Sequence, residues 1–570
     1  MKGTDANTPR YPWLRTYPPF APWDAPLPVL PAFAGFLNAV KQFPENVCLE
    51  FMGNFWTYAE IGHMAARAAK GLQDLGVTKG SRVALMLPNT HYYVVAYMGT
   101  LMAGGTVVNV NPLYAERELE HLVKDSGADV LVTLDLSSMY PKAHKILNAT
   151  KLKKLIVCSM ADALPWRSGV LFSVFKRSSV ASIDEAPNIM WFEDLLSNRG
   201  DYAKTPIDCA NDVAVLQYTG GTTGIPKAAM LTHANVCANT HQVARWHAGP
   251  VLGEERFLAA IPFFHVFAMT VVMLTAFEYG AAIIMMPRFD LNDCLKTIHK
   301  RKPTCFPAVP TIFMAINNAP DVGKYDLRSI KLCISGGAAL PIEAKKTFEK
   351  ITGCVLVEGY GLSETSPVVC TNPTQGENKA GSIGLPMPGT IVEIRSLDTD
   401  EPVPIGERGE LCVRGPQVMK GYWNKPDETA NVLKDGLLHT GDVAIMDDEG
   451  YVFIVDRIKD MINCSGYKVY PRVVEEAIHL HPAVAETTVI GIDDKYRGQA
   501  PKAFVKLKPG TRLTQEELIA FLKDKLSPME RPAEIEFRDV LPKTLIGKLS
   551  KKELKEEELS KARATIGGGS

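Results

Sequence analysis

The chain has 570 residues, more than a single hydrophobic core organises, so two or more domains are expected. Apolar residues make up 46% and charged residues 22%, which excludes a disordered chain, and a formal net charge of -1 gives no overall electrostatic case for nucleic acid or an anionic bilayer as the main partner. Eleven scattered cysteines with no CxxC pair fit reduced thiols in a cytoplasmic compartment better than a disulfide framework or a zinc site.

Prolines 9, 12, 18, 19 and 22 interrupt the N-terminal region before an apolar core of export-signal length can form. Short β-branched runs then alternate with helical stretches. "RVALMLP" (82–88), "ADVLVTL" (128–134), "DVAVLQYT" (212–219), "AAIIMMP" (281–287) and "KLCISGG" (331–337) read as buried strands that end where loops begin. This alternation predicts an α/β fold: a large N-terminal domain of layered, largely parallel sheets and helices. Ligands in such sheets sit beyond the carboxyl ends of the strands, where the glycine-rich runs fall. The segment 257–277, "FLAAIPFFHVFAMTVVMLTAF", carries no Asp, Glu, Lys or Arg and is nominally long enough to span a bilayer. Pro262 and His265 near its start favour a buried strand turning into a core helix.

The run "YTGGTTGIPKAAM" (218–230) combines bending glycines, hydroxyls and a lysine, as a phosphate cradle requires. It is not the GxxxxGK[ST] loop of an NTPase. Ile225 and Pro226 separate Gly224 from Lys227, and Ala228 stands where that loop needs a magnesium-binding hydroxyl. Farther on come "SGGAAL" (335–340), "EGYGLSET" (358–365), "LHTGDVA" (438–444), "DRIKD" (456–460) and "LPKTLIGKLSKKEL" (541–554). Glycines on both sides of Tyr360 argue for close approach of a ligand. Asp442 offers two acceptor oxygens, suited to a pair of hydroxyls.

After residue 458 the units shorten. A helix around "VEEAIHLHP", strands "ETTVIGI" and "KAFVKLKPG", and a helix opened by Thr514 and Glu517 at capping-box spacing predict a small mobile α+β C-terminal domain. The division expected is 1–458 and 459–570. The mixed charges of "LSKKELKEEELSKARA" predict a solvated helix or frayed tail.

These motifs, in this order over most of the chain, resemble the adenylate-forming superfamily. "VNVNPLYAERELEH", "IPFFHVFAMT", "GSIGLPMPGT" and "GPQVMKGYWNKPDET" bring it nearest to bacterial long-chain fatty acid–CoA ligases. The resemblance implies activation of a fatty acid by ATP, with Mg²⁺, to acyl-AMP, followed by transfer to coenzyme A. A CoA ligase for medium-chain or aromatic acids is the alternative; an acyl-AMP ligase that does not use CoA and a non-catalytic nucleotide-binding homologue stand further off. Thr219, Gly220, Gly221, Thr222, Thr223, Gly224 and Lys227 would wrap the β- and γ-phosphates, with Thr222 and Glu364 holding the metal. Lys548 would reach the α-phosphate and the attacking carboxylate.

Tyr360 would stack on adenine, flanked by Gly336, Gly337 and Ala338 and by Glu358, Gly359, Gly361 and Ser363. Asp442 would take the ribose hydroxyls, supported by Arg457. His265 would stand between nucleotide and acyl tunnel, the latter lined by residues 266–270 and "GGAAL". Lys459 would be the hinge on which the small domain turns, exchanging Lys548 for a loop that brings Gly466 beside pantetheine. The family usually reads "KILRREL" where this chain has "KLSKKEL", so Lys551 and Lys552 lack the forked grip of arginine on phosphate. The same reading places the protein in the cytoplasm, admits peripheral contact with the inner membrane face and a homodimer, and assigns no role to nucleic acid.

Overall fold

A computed structural model describes residues 11–219, 226–465, 467–494, 496–544 and 549–567, the stretch 562–567 by its backbone alone. Gly220, Gly221, Thr222, Thr223, Gly224, Gly466 and Lys548 lie outside the described residues.

Seven strands form the first sheet, in the order Ile189–Trp191, Lys154–Cys158, Val130–Leu134, Arg82–Met86, Thr106–Asn109, Val213–Thr219 and Lys227–Thr232. All its pairs are parallel except the last, Val213–Thr219 with Lys227–Thr232, which is antiparallel. Val130–Leu134 is buried at every position, as a strand covered on both faces must be. A second layer joins Arg256–Ala259, Ala282–Met285, Val47–Phe51 and Asn54–Thr57 to Leu332–Gly336, Val355–Gly361, Val368–Thr371 and Leu385–Pro386. Cys305 bridges the two halves by pairing with Phe257 on one side and Leu332 on the other. Between the layers the helix His91–Met102 is buried all round, which its near-continuous apolar sequence permits. The helix Tyr58–Asp74 packs against it and starts at a capping box of Thr57 and Glu60.

The strands Arg82–Met86, Val130–Leu134, Val213–Thr219, Ala282–Met285 and Leu332–Gly336 lie within the five expected runs. Residues 391–457 depart from the parallel layering. They form a separate antiparallel sheet of Ile391–Arg395, Gly409–Arg414, Leu437–Met446, Leu433–Lys434 and Val452–Arg457. Ile391–Arg395 alternates buried and half-buried positions, the signature of a sheet with one covered face. The 257–277 segment contributes the strand Arg256–Ala259 and then a wide π-helical turn, Ala268–Leu274, rather than an α-helix, followed by Thr275–Tyr279. Among the described residues, no helix is long and apolar enough to cross a membrane.

Past a single turn, Ile458–Asp460, the small unit begins. Its sheet runs Tyr467–Val469, Ile462–Cys464, Gly498–Leu507, Val484–Asp494, with Glu534–Phe537 added alongside Gly498–Leu507. The helices Pro471–His479 and Gln515–Leu522 close a core of its own around Val474, Ile478, Val489, Val505 and Leu518. Polar and apolar contacts join it to the large unit: Asp456 accepts from the Arg472 backbone N–H at 2.7 Å, and Val443 and Val455 pack with Tyr470 and Val473. Interfaces of this kind permit relative motion. The C-terminal stretch is a helix exposed at most of its described positions, as its mixed charges predict, and it is anchored near its start. Helix Lys551–Gly567 buries Leu554 against Ile490, Phe504 and Leu541, and Lys551 pairs with Glu475 at 2.9 Å.

One buried acid sets a pH dependence. Glu278, on Thr275–Tyr279, is pushed by burial to about 7 from an ordinary 4.5. His241 lies 3.7 Å away, but burial lowers its own pKa, so it supplies no charge near neutrality. A carboxyl with a raised folded pKa holds its proton more tightly when folded, so stability falls as pH climbs from the unfolded value through the folded one. Glu278→Gln is expected to exceed the parent in stability by about 2 kcal/mol at about pH 8 and to lose that advantage near about pH 4.5. Denaturant unfolding at the two pH values measures the difference.

Candidate active site

The carboxyl ends of three sheets converge on one cavity of about 900 Å³. This is at the upper end of small-molecule pockets, roughly 300–1,000 Å³. One end is polar and the other apolar.

At the polar end, Val355–Gly361 carries Tyr360 beside the antiparallel sheet. The Tyr360 hydroxyl donates to Asp442 Oδ2 at 2.5 Å, and Arg457 Nε stands 3.3 Å from the other carboxylate oxygen. Asp442 and Arg457 are register partners on adjacent strands, so the sheet itself sets their spacing. Burial pushes the Asp442 carboxyl above its usual range, and Arg457 and the Tyr360 hydroxyl pull it back. Burial followed by the Asp442 charge raises Tyr360 well above 10. Glu358 is buried behind the strand and accepts from the Leu340 N–H at 3.3 Å, which shapes the turn after Gly336–Gly337. Gly336 and Gly359 are register partners on parallel strands and both line the cavity. Of "GGAAL", only Gly336 and Gly337 line it; Ala338 to Leu340 face a larger cleft between the two units.

Thr219 and Lys227 pair across the hairpin that flanks residues 220–226, with Thr219 Oγ1 donating to the Lys227 carbonyl at 3.3 Å. Both line the cavity, as do Ser363 and Glu364. The Lys227 ammonium pairs with Glu428 at 2.5 Å and lies 5.5 Å from the centre of the Tyr422 ring. Tyr422 donates its hydroxyl to Glu364 Oε1 at 2.7 Å. Neither Tyr422 nor Glu428 emerged from the sequence as a functional residue. Both stand in "GPQVMKGYWNKPDET", and a tyrosine and an acid seven residues or fewer from a glycine carry no signature of their own. What brings them in is pairing of 419–423 along the edge of Lys227–Thr232, with Trp423 N–H donating to the Ala228 carbonyl at 2.8 Å and Lys420 N–H to Met230 at 3.0 Å.

Between Tyr360 and Glu364, Gly361 passes close over the chain at Pro367. A Cβ at Gly361 would lie 1.9 Å from the Pro367 carbonyl oxygen. Gly361→Ala must therefore part that strand from its neighbour and displace Tyr360 and Glu364. The KM for ATP is expected to rise about ten- to a hundredfold in steady-state assays, since a displacement of roughly 1 Å at a positioning group has that cost.

His265 borders the change from polar to apolar. Its Nδ1 accepts from the Phe267 N–H at 3.3 Å, and its carbonyl accepts from Met269 as the π-helical turn begins. Behind it, Tyr93, Asn109 and Gln217 form a buried hydrogen-bonded chain that ends on the Phe263 and Phe264 carbonyls and fixes the approach to His265. Val266, Phe267 and Val271 line the cavity here, whereas Thr270 is buried and donates to the Ser366 carbonyl at 2.6 Å. Beyond lies an apolar extension among Val243, Trp246, Phe257, Tyr279, Cys305 and Ile334.

Lys459 sits on the turn Ile458–Asp460 and lines both the cavity and the cleft. Burial and Arg457 lower its pKa. Thr544 also lines both, next to the bridge in which Lys543 and Leu549 pair on either side of residues 544–548. The cleft measures about 2,790 Å³ and runs between Gly337–Thr347 and the small unit. Lys551 does not point to a free phosphate position. Although burial opposes it, Glu475 and Asp456 raise its pKa and hold its charge.

The Glu364 carboxylate lines the cavity, is oriented by Tyr422 and could serve as an oxygen ligand to a hard cation. A carboxylate set between two donors, an aromatic ring beside it, a lysine next to a glycine-rich hairpin and an apolar extension together can hold a nucleotide against an apolar acid.

Residues 36–423 match the AMP-binding enzyme family, and residues 473–548 match the AMP-binding enzyme C-terminal domain. The chain is 46% identical to a long-chain-fatty-acid–CoA ligase of Bacillus subtilis strain 168, over 96% of this chain and 98% of the relative. It is 39% identical to the enzyme of the same description from Escherichia coli O6:H1, over 96% and 98%. Among solved structures, ATP-bound MatB from Rhodopseudomonas palustris aligns with a TM-score of 0.81 at 26% identity, over 93% of this chain and 99% of that one. The anthranilate CoA ligase AuaEII, in complex with anthranoyl-AMP, aligns with a TM-score of 0.82 at 25% identity, over 94% and 99%.

Proposed function

Since the chain belongs to the AMP-binding enzyme family, we propose that the cavity joins ATP to a long-chain fatty acid and the resulting acyl-AMP to coenzyme A. The observation that carries the reading is the continuity of one cavity from the Tyr360–Asp442–Arg457 cluster, past His265, into the apolar extension. Near full-length similarity to long-chain-fatty-acid–CoA ligases supports the same activity.

In the first half-reaction a carboxylate oxygen bonds to the α-phosphorus as the bond to the β-phosphate oxygen breaks, releasing pyrophosphate. Two anions meet, so oriented donors and positive charge must be in place beforehand. Asp442 takes both ribose hydroxyls, and Arg457 keeps that carboxylate ionised despite its burial. Tyr360 lies along the adenine while its hydroxyl braces Asp442. Lys227 leaves Glu428 for the β- and γ-phosphates, with Thr219 and residues 220–224 as further donors. Lys548 meets the α-phosphate and the acid. Glu364 and Thr222 would hold magnesium, which would supply positive charge against the phosphates. His265 marks the depth at which the acyl carboxylate stops.

In the second half-reaction the CoA sulfur bonds to the acyl carbon, AMP leaves with the bonding pair, and the thiol proton passes to solvent. Units 1–458 and 459–570 rotate about Lys459 between the two steps, and the cleft gives pantetheine its way in. An acid this apolar is supplied from a lipid surface, so the reading includes peripheral contact with a membrane.

Exchange of labelled pyrophosphate into ATP, with oleate and without CoA, tests this route. Oleate-dependent exchange is expected. Exchange only when CoA is added, or release of ADP and phosphate, would refute an acyl-AMP intermediate.

A further inference from the structure

Between the strands Lys154–Cys158 and Ile189–Trp191 the chain leaves the first sheet and forms the helix Trp166–Phe175. One face seats it. Gly169 lies so close to the Ala161 carbonyl that a Cβ would stand 2.5 Å from it, and Phe172 packs on the core.

The opposite face is apolar and exposed. Trp166, Val170, Leu171, Val174 and Phe175 present it to solvent, with Trp166 at 75% and Phe175 at 77% exposure. The turn at Met52 and Gly53 extends the same surface. Gly53 lies against Pro165, Asn54 donates to the Ala163 carbonyl at 3.4 Å, and Met52 and Phe55 are themselves exposed. An apolar surface of this kind on one helix is unusual for a protein that leaves it in water.

Its charge is one-sided. From residue 163 to 183 the sequence holds Arg167, Lys176 and Arg177 and no acid, in a chain whose net charge is -1. All three cations are exposed, and the Arg167 guanidinium lies 5.5 Å from the centre of the Trp166 ring. An exposed tryptophan, aliphatic residues on the same face and cations at its edge are the composition of a helix that lies in the headgroup region of a bilayer. A second protein surface would be expected to offer the cations carboxylates; phosphate headgroups do so over a flat area and accept the apolar side chains beneath.

We propose that the Trp166–Phe175 helix, with the Met52–Phe55 turn beside it, docks this enzyme on the surface of a bilayer containing anionic lipid. The proposal extends the fatty-acid reading of the active site by naming the surface through which the enzyme meets the membrane where its substrate partitions.

Sedimentation with vesicles of phosphatidylcholine, alone or with phosphatidylglycerol, tests it without nucleotide or acid, so failure here is separable from failure of the catalytic reading. The parent is expected to bind, and to bind more when phosphatidylglycerol is present. Val170→Glu with Val174→Glu is expected to lower partitioning by about tenfold or more. Exchange of Arg167, Lys176 and Arg177 for glutamine is expected to remove the preference for anionic vesicles, about tenfold or more in partitioning. Turnover on water-soluble octanoate reports that each variant is folded; should the double glutamate variant fail it, Trp166→Ser with Phe175→Ser replaces it. No binding by the parent, or unchanged binding by the folded variants, would overturn the proposal. So would a variant that loses self-association in solution but still binds vesicles, which would make the helix a contact between copies of the chain.

Discussion

Lys548→Ala is expected to slow acyl-AMP formation by about a thousandfold while leaving thioester formation from supplied acyl-AMP within a few-fold of the parent. The asymmetry follows from where charge accumulates. In the first half-reaction a carboxylate approaches a phosphate, and one cation between them is aimed at charge that grows in the transition state. In the second, a thiol attacks a mixed anhydride already activated, and no such pair of anions meets. Among the described residues on either side of it, Thr544 lines the cavity with Asp442 and Arg457, and Lys543 pairs with Leu549. The measurement is a pair of single-turnover rates, one for oleoyl-AMP formed from oleate and ATP, one for oleoyl-CoA formed from oleoyl-AMP. Equal loss in both would place Lys548 outside the phosphate chemistry.

Lys459→Pro is expected to show the opposite pattern, with acyl-AMP formation retained and thioester formation lowered by about a hundredfold or more. Lys459 is the middle residue of the turn Ile458–Asp460, whose helical backbone has the φ that a proline ring enforces. Proline is thus compatible with this arrangement and resists the change of backbone angles that a rotation needs. The hydrogen bond from the Arg472 N–H to Asp456 joins the two units beside the turn, and Lys555 pairs with Asp460 on the turn itself. Full oleoyl-CoA turnover by the proline variant would remove the hinge from this position.

The strand pattern was legible because parallel strands buried on both faces read as largely apolar runs, broken in Val130–Leu134 by Thr133 and in Leu332–Gly336 by Ser335. Asp442 and Tyr360 were legible as parts of motifs. Their direct hydrogen bond was not, because it depends on an antiparallel sheet of short, mixed strands, 391–457, that has no comparable run. Tyr422 and Glu428 were hidden for a related reason. Their roles come from an edge pairing between segments some two hundred residues apart, and each is locally an ordinary residue. The closing helix was legible from its charges as a solvated one, but its anchorage was not: a single buried Leu554 and the Lys551–Glu475 pair fix its start, and the flanking charges conceal them. The π-helical turn after His265 has no sequence signature at all, since its side chains are those of any buried helix.

The account stands or falls on which acid fills the apolar extension. AMP release should be measured with and without CoA across saturated acids from acetate to palmitate, with oleate and coumarate added to the series. CoA-dependent AMP release with its highest kcat/KM on a long-chain acid is the predicted result. A maximum on coumarate, or AMP release that CoA does not raise, would contradict it.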